Sequence, residues 1–359
     1  MSGFRLQTSG FRFRANPGGR SRRDRRNGFT LVELLLVISI IGILTGISVT
    51  VARQAYHTAR VARTNATLQK LDSVILEMYA NYENRRVPSP NFGSGSTVQA
   101  QVTQAARLWF LRDMIRMEMP SNRAEIETGP INFRFQYVDR VGTTQTTNFM
   151  SVAELAKLDS PLRKLYFQEI QKSNGQYEPA KCLFLVVMYG NPEVRELFQD
   201  REIAVDDDGL SYFVDGWGNP IYFLRWAPGL VLSDRQPTIA NWGDDTEKAA
   251  VANRHPDPLD PTEVGGKLLS QTGNQWTIDL TDKWLKGTPD ETPIRGWTLL
   301  PVVMSSGGVR ENSNFDADFG IILQPDAGAI PVVDPFNWPI GAYSSQPNYA
   351  IIHNHSARR

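Results

Sequence analysis

Residues 34–51 read LLLVISIIGILTGISVTV, eighteen in a row without a charge. Extended back to Phe29, the apolar stretch has 23 residues. At ~1.5 Å of rise per residue a helix of that length spans ~34 Å, enough to cross the hydrocarbon core of a bilayer. The 28 residues before it hold eight Arg and one Asp, a charge of +7 in a chain whose formal net charge is zero. The other 331 residues therefore carry 30 basic and 37 acidic groups, a charge of −7. An Arg-rich, Gly-containing segment with no helical or strand period reads as a flexible leader to be set aside from the fold. An uncleaved nucleic-acid-binding arm is its competitor, but the acidic main body disfavours a nucleic-acid surface. The positive-inside rule keeps the leader cytoplasmic and places the bulk of the chain on the far side of the membrane. A secretory signal cut at a small-x-small site fits TGISVTVARQAY only weakly. Cys182 is the single cysteine, which excludes an internal disulfide and a multi-cysteine zinc site.

Glu33 is the anomaly. A carboxylate near one end of a membrane helix is costly unless paired, or it sits solvated at headgroup level. The run Gly28-Phe29-Thr30-Leu31-Val32-Glu33, followed by LLLVISIIGIL, resembles the class III signal of type IV pilins and type II secretion pseudopilins. The resemblance implies that a prepilin peptidase cuts between Gly28 and Phe29 on the cytoplasmic side and that Phe29 becomes N-methylated. It further implies that Glu33 is the assembly carboxylate, paired with the terminal amine of a neighbouring subunit. It implies other pilin or pseudopilin subunits and an inner-membrane assembly platform as partners. The physics agrees, because a buried carboxylate and a buried ammonium neutralise each other across subunits and each is costly alone. Such a pair sets axial register more than it adds stability. Many relatives have a proline partway down this helix, where this chain has Thr50, so a straighter helix is expected.

From Ala52 the sequence turns amphipathic. Val61, Leu68, Leu71, Ile75, Met78, Tyr79 and Tyr82 recur near helical spacing among Arg, Lys and Asp. Pro88 and Pro90 end the pattern. A single helix from Phe29 to Glu83 is expected, 55 residues and about 80 Å long. The segment LDSVILEMYANYENRRVP is similar to the corresponding part of major pseudopilins. His57 on this helix reads as a surface histidine.

Residues 91–97, NFGSGST, form a turn or linker. Residues 98–119 have helical spacing, with Leu108, Leu111, Ile115 and Met119 on one face. INFRFQYV reads as a strand within a polar stretch. Ser151 to Glu154 fits a capping box. Residues 180–189 are an apolar run expected to be buried, with Cys182 as a small hydrophobe inside it. Asn191-Pro192 reads as an N-cap with Pro at N1, opening a short helix to Phe198. Residues 89–200 are thus a mostly helical insertion that no resemblance covers.

After residue 200 lie seven of the eight Trp and fourteen of the 22 Pro. Gly, Pro, Asn and Asp turns separate short apolar runs, the signature of short strands. Asp215-Gly216-Trp217-Gly218-Asn219-Pro220 before IYFLRW reads as strand, tight turn, strand, with Asp215 and Trp217 as packed turn residues. It also resembles the D-x-W-G-N-P signature of major pseudopilins, with Gly216 where relatives often have proline. The segment PVVMSSGGVRENSNFDADFGI resembles the strand and Asp-containing loop that binds calcium in that family. Carboxylates and carbonyls suit this hard cation. Carried over, Asp316 and Asp318 are the later acidic ligands and Ser306 supplies a carbonyl. Val309 stands near the place of an earlier loop acid, and a solvated acidic loop is the alternative. Asp206-Asp207-Asp208-Gly209 is an acidic turn that does not fit the EF-hand pattern. His255 lies in a Pro/Asp-rich loop, and His353 and His355 lie in the tail. No G-x-S-x-G, Walker A, Rossmann glycine set or H-E-x-x-H is present.

The expected fold is α+β and pilin-like. It comprises a leader removed at 1–28, a transmembrane helix at 29–51, its amphipathic continuation at 52–88, the helical insertion at 89–200, and a C-terminal antiparallel β region at 201–359. The expected function is that of a non-enzymatic structural subunit of a type II secretion or pilus-like filament, single-pass in the inner membrane with its head extracytoplasmic. The rival from another class is a signal-anchored extracytoplasmic enzyme or carbohydrate-binding protein. That rival requires an exposed, coplanar row of Trp near paired carboxylates. A pilin-like adhesin would need the same stem.

Overall fold

A computed structural model of the chain describes residues 30–87, 100–138, 141–148, 151–225, 257–260, 269–272, 275–280, 301–307 and 352–353. The chain divides into two units, residues 1–54 and 55–359. The first helix, α1 (Leu31–Ala80, 50 residues), runs through both. It starts two residues later and ends three residues earlier than the periodicity predicts. The end loosens into turns, with Tyr82, Glu83 and Arg85 N–H groups donating to carbonyls three residues back.

Within the first unit, α1 is apolar on every side. From Leu31 to Val51 its large apolar side chains are 43–80% exposed. Its hydroxyls are satisfied by the helix itself. Ser39, Thr45 and Ser48 donate to carbonyls four residues back, and Thr50 donates to Ile47 O at 2.8 Å. A helix in hydrocarbon requires this internal pairing, since no water is there to supply it. At Thr50 the α-helix continues unbroken.

In the second unit, α1 presents Leu68, Leu71, Val74, Ile75 and Tyr79 to the core. Against them lies α2 (Ala100–Glu118), whose expected face of Leu108, Leu111 and Ile115, together with Met119 just past its end, is fully buried. Several charged residues of α2 are buried as well, namely Arg112, Asp113, Arg116 and Glu118. Each of these charges meets a partner. Arg116 pairs with Asp113, Arg112 with Asp257, and Glu118 with Arg85, Tyr82 and Ser160. Paired in this way, charge is tolerable inside a core.

After α3 (Arg123–Glu127), strand β1 (Phe133–Val138) turns Phe133, Phe135 and Tyr137 inward and pairs antiparallel with β2 (Thr144–Asn148). Helix α4 (Val152–Lys157) opens with the expected capping box between Ser151 and Glu154. Helices α5 (Pro161–Ile170) and α6 (Glu178–Gly190) follow, and α6 contains the apolar run and buried Cys182. The turn after Asn191 is a 3-10 helix, Pro192–Leu197, and the Asn191 side chain makes no cap bond. Its backbone lies outside the usual N-cap conformation because it also terminates α6.

The later strands are short. They are β3 (Ile203–Val205), β4 (Ser211–Phe213), β5 (Ile221–Leu224), β6 (Leu269–Thr272), β7 (Gln275–Leu280), β8 (Val302–Ser305) and β9 (Ile352–His353). They form the sheets β2-β1-β7-β6, β3-β4 and β5-β8-β9. All pairings among the C-terminal strands are antiparallel. The pairing of β1 with β7 is parallel and joins the middle of the chain to its C-terminal half in one sheet. Strands β4 and β5 flank the Asp215–Pro220 turn, as the strand, turn, strand reading expects. They belong to different sheets and are bridged at Val214–Pro220. The architecture is α+β, a long apolar N-terminal helix followed by further helices and small sheets.

Candidate functional site

Glu33 stands in the first turn of α1, where the helix dipole favours a carboxylate. Its N–H donates to Thr30 Oγ at 3.2 Å, so Thr30 caps the helix. Both Glu33 and the side chains around it are exposed, and among the described residues no cation lies within ion-pair distance of its carboxylate. Gly28 and Phe29 lie outside the described residues. The arrangement is a single acidic group at the head of an otherwise apolar rod.

The D-x-W-G-N-P segment forms the second candidate element, within residues 55–359. Asp215 is buried, and its Oδ1 accepts from the N–H groups of Trp217 (2.8 Å) and Asn219 (2.9 Å). Its Oδ2 accepts from Ser305 Oγ at 2.7 Å, at the end of β8. Ser305 Oγ in turn accepts from Gly307 N–H, and Asn219 Nδ2 donates to Gly307 O at 3.1 Å. Burial pushes the Asp215 carboxyl above its ordinary range, and the bonds from Ser305, Asn219 and Trp217 oppose that rise. On its other side the turn sits on α1. Gly216 N–H donates to Thr64 Oγ at 2.9 Å, and Trp217 packs edge-on against His57 with ring centres 5.6 Å apart. The turn thus clamps the 305–307 junction, the start of the predicted calcium loop, to the second half of α1. Thr64, Arg60, Ser305 and Gly307 were not singled out in the sequence. The one sequence signal toward them is the glycine at 216, whose backbone lies against Arg60.

Ser306 is buried beside this junction, while Asp316 and Asp318 lie outside the described residues. Asp206 and Asp208 both pair with the ammonium of buried Lys181, which also donates to Asn174 Oδ1. The acidic turn is therefore partly neutralised by a buried cation. Burial pushes the Cys182 thiol well above its ordinary range, as expected of a packed hydrophobe. Trp109 is fully buried and Trp217 is half-buried against His57, so neither stands in an exposed row. Trp226, Trp242, Trp284, Trp297, Trp338, His255 and His355 lie outside the described residues. Among the described residues no group of three or more His, Cys, Asp or Glu side chains is placed to hold a metal.

Among known families, the prokaryotic N-terminal methylation motif matches residues 23–49. The chain carries the N-terminal signature of type IV pilins and pseudopilins. No curated protein and no solved structure matches it. The matched span covers the end of the leader, Gly28, Phe29, Glu33 and most of the apolar run. This motif marks a pilin-type precursor, processed by a prepilin peptidase and assembled with other pilin subunits. It points to a structural rather than an enzymatic subunit, and the apolar helix behind it is suited to a single-pass membrane anchor.

Proposed function

We propose that this chain is a pseudopilin-like filament subunit of a type II secretion or type IV pilus-like system. The observation that carries the reading is the methylation motif followed by a helix whose large apolar side chains from Leu31 to Val51 are exposed among the described residues. Exposed apolar surface of this extent is soluble only in lipid or against other copies. In the membrane the leader stays cytoplasmic and the head faces outward. Cleavage between Gly28 and Phe29 frees an amine. Glu33 then pairs with the amine of a neighbouring subunit as the helices leave the bilayer and stack, aided by an inner-membrane assembly platform. Away from water that pair tolerates little misplacement, so it fixes axial register.

Asp316, Asp318 and the carbonyl of Ser306 bind calcium in this reading, with the loop anchored through Ser305 and Asp215. Calcium should then raise the melting temperature of the wild-type chain, and D316A/D318A should abolish the shift.

The deciding experiment is mass spectrometry of the N-terminus after membrane extraction, with and without a prepilin peptidase. The reading requires a chain that begins at N-methylated Phe29 only when the peptidase is present. Retention of Met1, or a cut beyond residue 45, would overturn it in favour of a signal-anchored protein of another class.

A further inference from the structure

Strand β3 has β4 along one of its edges. Val214 N–H donates to Glu202 O, and Asp206 N–H donates to Leu210 O, both at 2.9 Å. The antiparallel register pairs Ile203 with Phe213, Ala204 with Tyr212 and Val205 with Ser211, so Ala204 lies midway between those two bonded positions. In an antiparallel ladder, pairs that exchange hydrogen bonds alternate with pairs that do not. Ala204 therefore turns its N–H and C=O to β4, while Ile203 and Val205 turn theirs to the opposite edge. The Ile203 N–H is taken by Asp200 O. Three groups remain on that edge, Ile203 C=O, Val205 N–H and Val205 C=O, and among the described residues no strand pairs with them. Val205 is 64% exposed, and the strand holds no Pro and no charge to blunt its edge.

We propose that this edge of β3 is a docking site for an extended segment of another protein, apolar at its centre and carrying Lys or Arg beside it. The proposal goes beyond the filament reading and does not depend on it. An added strand would supply partners to all three backbone groups, and main-chain bonds of this kind accept any extended chain. The side chains choose among such chains. Val205 offers an apolar contact on one face of the added strand. Just past it comes the turn of Asp206, Asp207 and Asp208, in which Lys181 is the cation paired with Asp206 and Asp208. Three carboxylates against one ammonium leave a charge of −2 at that end of the strand. Asp207 is exposed there. At the other end, Asp200 and Arg201 carry opposite charges.

Charge decides the occupant. A second copy could pair only through its own β3, antiparallel about a two-fold axis. Centred on Ala204, that pairing sets Asp206 against Glu202 of the other copy. Centred on Val205 it sets Asp208 against Glu202, and centred on Ile203 it sets Asp206 against Asp200. Like charges directly opposite each other destabilise a strand pair. A basic segment instead brings the opposite sign to the turn, where it adds to the attraction and steers the approach.

The test titrates the full detergent-extracted chain with a fluorescent peptide of sequence KVTVK and follows both anisotropy and amide hydrogen exchange. The peptide should bind, and at saturation the Val205 amide should exchange about tenfold more slowly, because it becomes a ladder donor. The peptide EVTVE should bind about tenfold more weakly. Proline is tolerated on a strand edge that faces solvent, so V205P should keep the wild-type melting curve and lose the peptide. D207K should weaken KVTVK and spare EVTVE. Two backbone-methylated versions of KVTVK keep the test independent of how V205P folds. One is methylated at both valines and the other at the threonine, and only one of them should lose binding, since alternate amides face β3. No binding of KVTVK, equal binding of the two peptides, unchanged exchange at Val205, or indifference to both methylated versions overturns the proposal. So does slowing of Val205 exchange with protein concentration alone, which would assign the edge to a second copy.

Discussion

A Cβ added to Gly216 would lie 2.8 Å from the Cα of Arg60 and closer still to its carbonyl oxygen. Backbone meets backbone here, and no side chain can swing aside. G216A should therefore force the D-x-W-G-N-P turn off α1 and cost about 1–3 kcal/mol, the usual penalty of overpacking. G216P should cost more, because it also removes the N–H that donates to Thr64. Denaturant midpoints of the purified variants check this, and a wild-type midpoint for G216A would refute the packing argument.

Asp215 joins the same turn to β8. D215A would leave three donors without their acceptor, the buried hydroxyl of Ser305 and the half-buried N–H groups of Trp217 and Asn219. A loss of about 3 kcal/mol is expected from these unpaired donors. D215N keeps one acceptor oxygen and should cost about 1 kcal/mol. If calcium binds as proposed, D215A should also weaken the calcium-dependent rise in melting temperature, since Ser305, which holds Gly307, loses its acceptor. Equal stability of D215A and wild type would show that the clamp contributes nothing.

Cys182 should be inert in the folded chain. Its thiol is buried among Ile126, Tyr166, Ile170, Leu185 and Leu210, and burial holds it protonated. A thiol reagent at neutral pH should label it only after denaturant unfolds the protein. Rapid labelling under native conditions would mean that α6 opens locally.

The stem and the α2 face were legible because they are periodic and apolar, as Leu68, Leu71, Leu108 and Ile115 show. Glu33 stands out in the sequence as the one charge in an apolar run. The burial of Arg112, Asp113, Arg116 and Glu118 was not legible. Their partners Asp257, Arg85 and Ser160 are distant in sequence, and a charged residue on a helix ordinarily faces water. The parallel pairing of β1 with β7 was hidden for the same reason, since strand pattern gives type and not partner. The turn at Asp215–Pro220 was read correctly as strand, tight turn, strand, but the sheet partners of those strands were not legible. Its strands pair with β3 and β8.

The acidic turn at Asp206–Gly209 gives the last prediction, in which pH carries the sign. Burial pushes both carboxyls up, but for Asp206 the bonds from Lys181, Asp207 N–H and Asn174 outweigh it. For Asp208 the bonds from Lys181 and the N–H groups of Leu210 and Asn174 do the same. Both titrate below the ordinary range in the folded chain. Their contribution is present above about pH 4, where the unfolded carboxyls ionise, and is lost as pH falls through the folded values. Lys181 is fully buried, so K181M leaves two neighbouring carboxylates without their cation. A loss of about 3 kcal/mol at neutral pH is expected from breaking such a pair. Acidification reverses the comparison. Protonation relieves the repulsion in K181M while it weakens the wild type, so the gap should close toward and below pH 4. Denaturant midpoints of both proteins across that range decide it, and a gap that stays constant with pH would show that the turn is not held by charge.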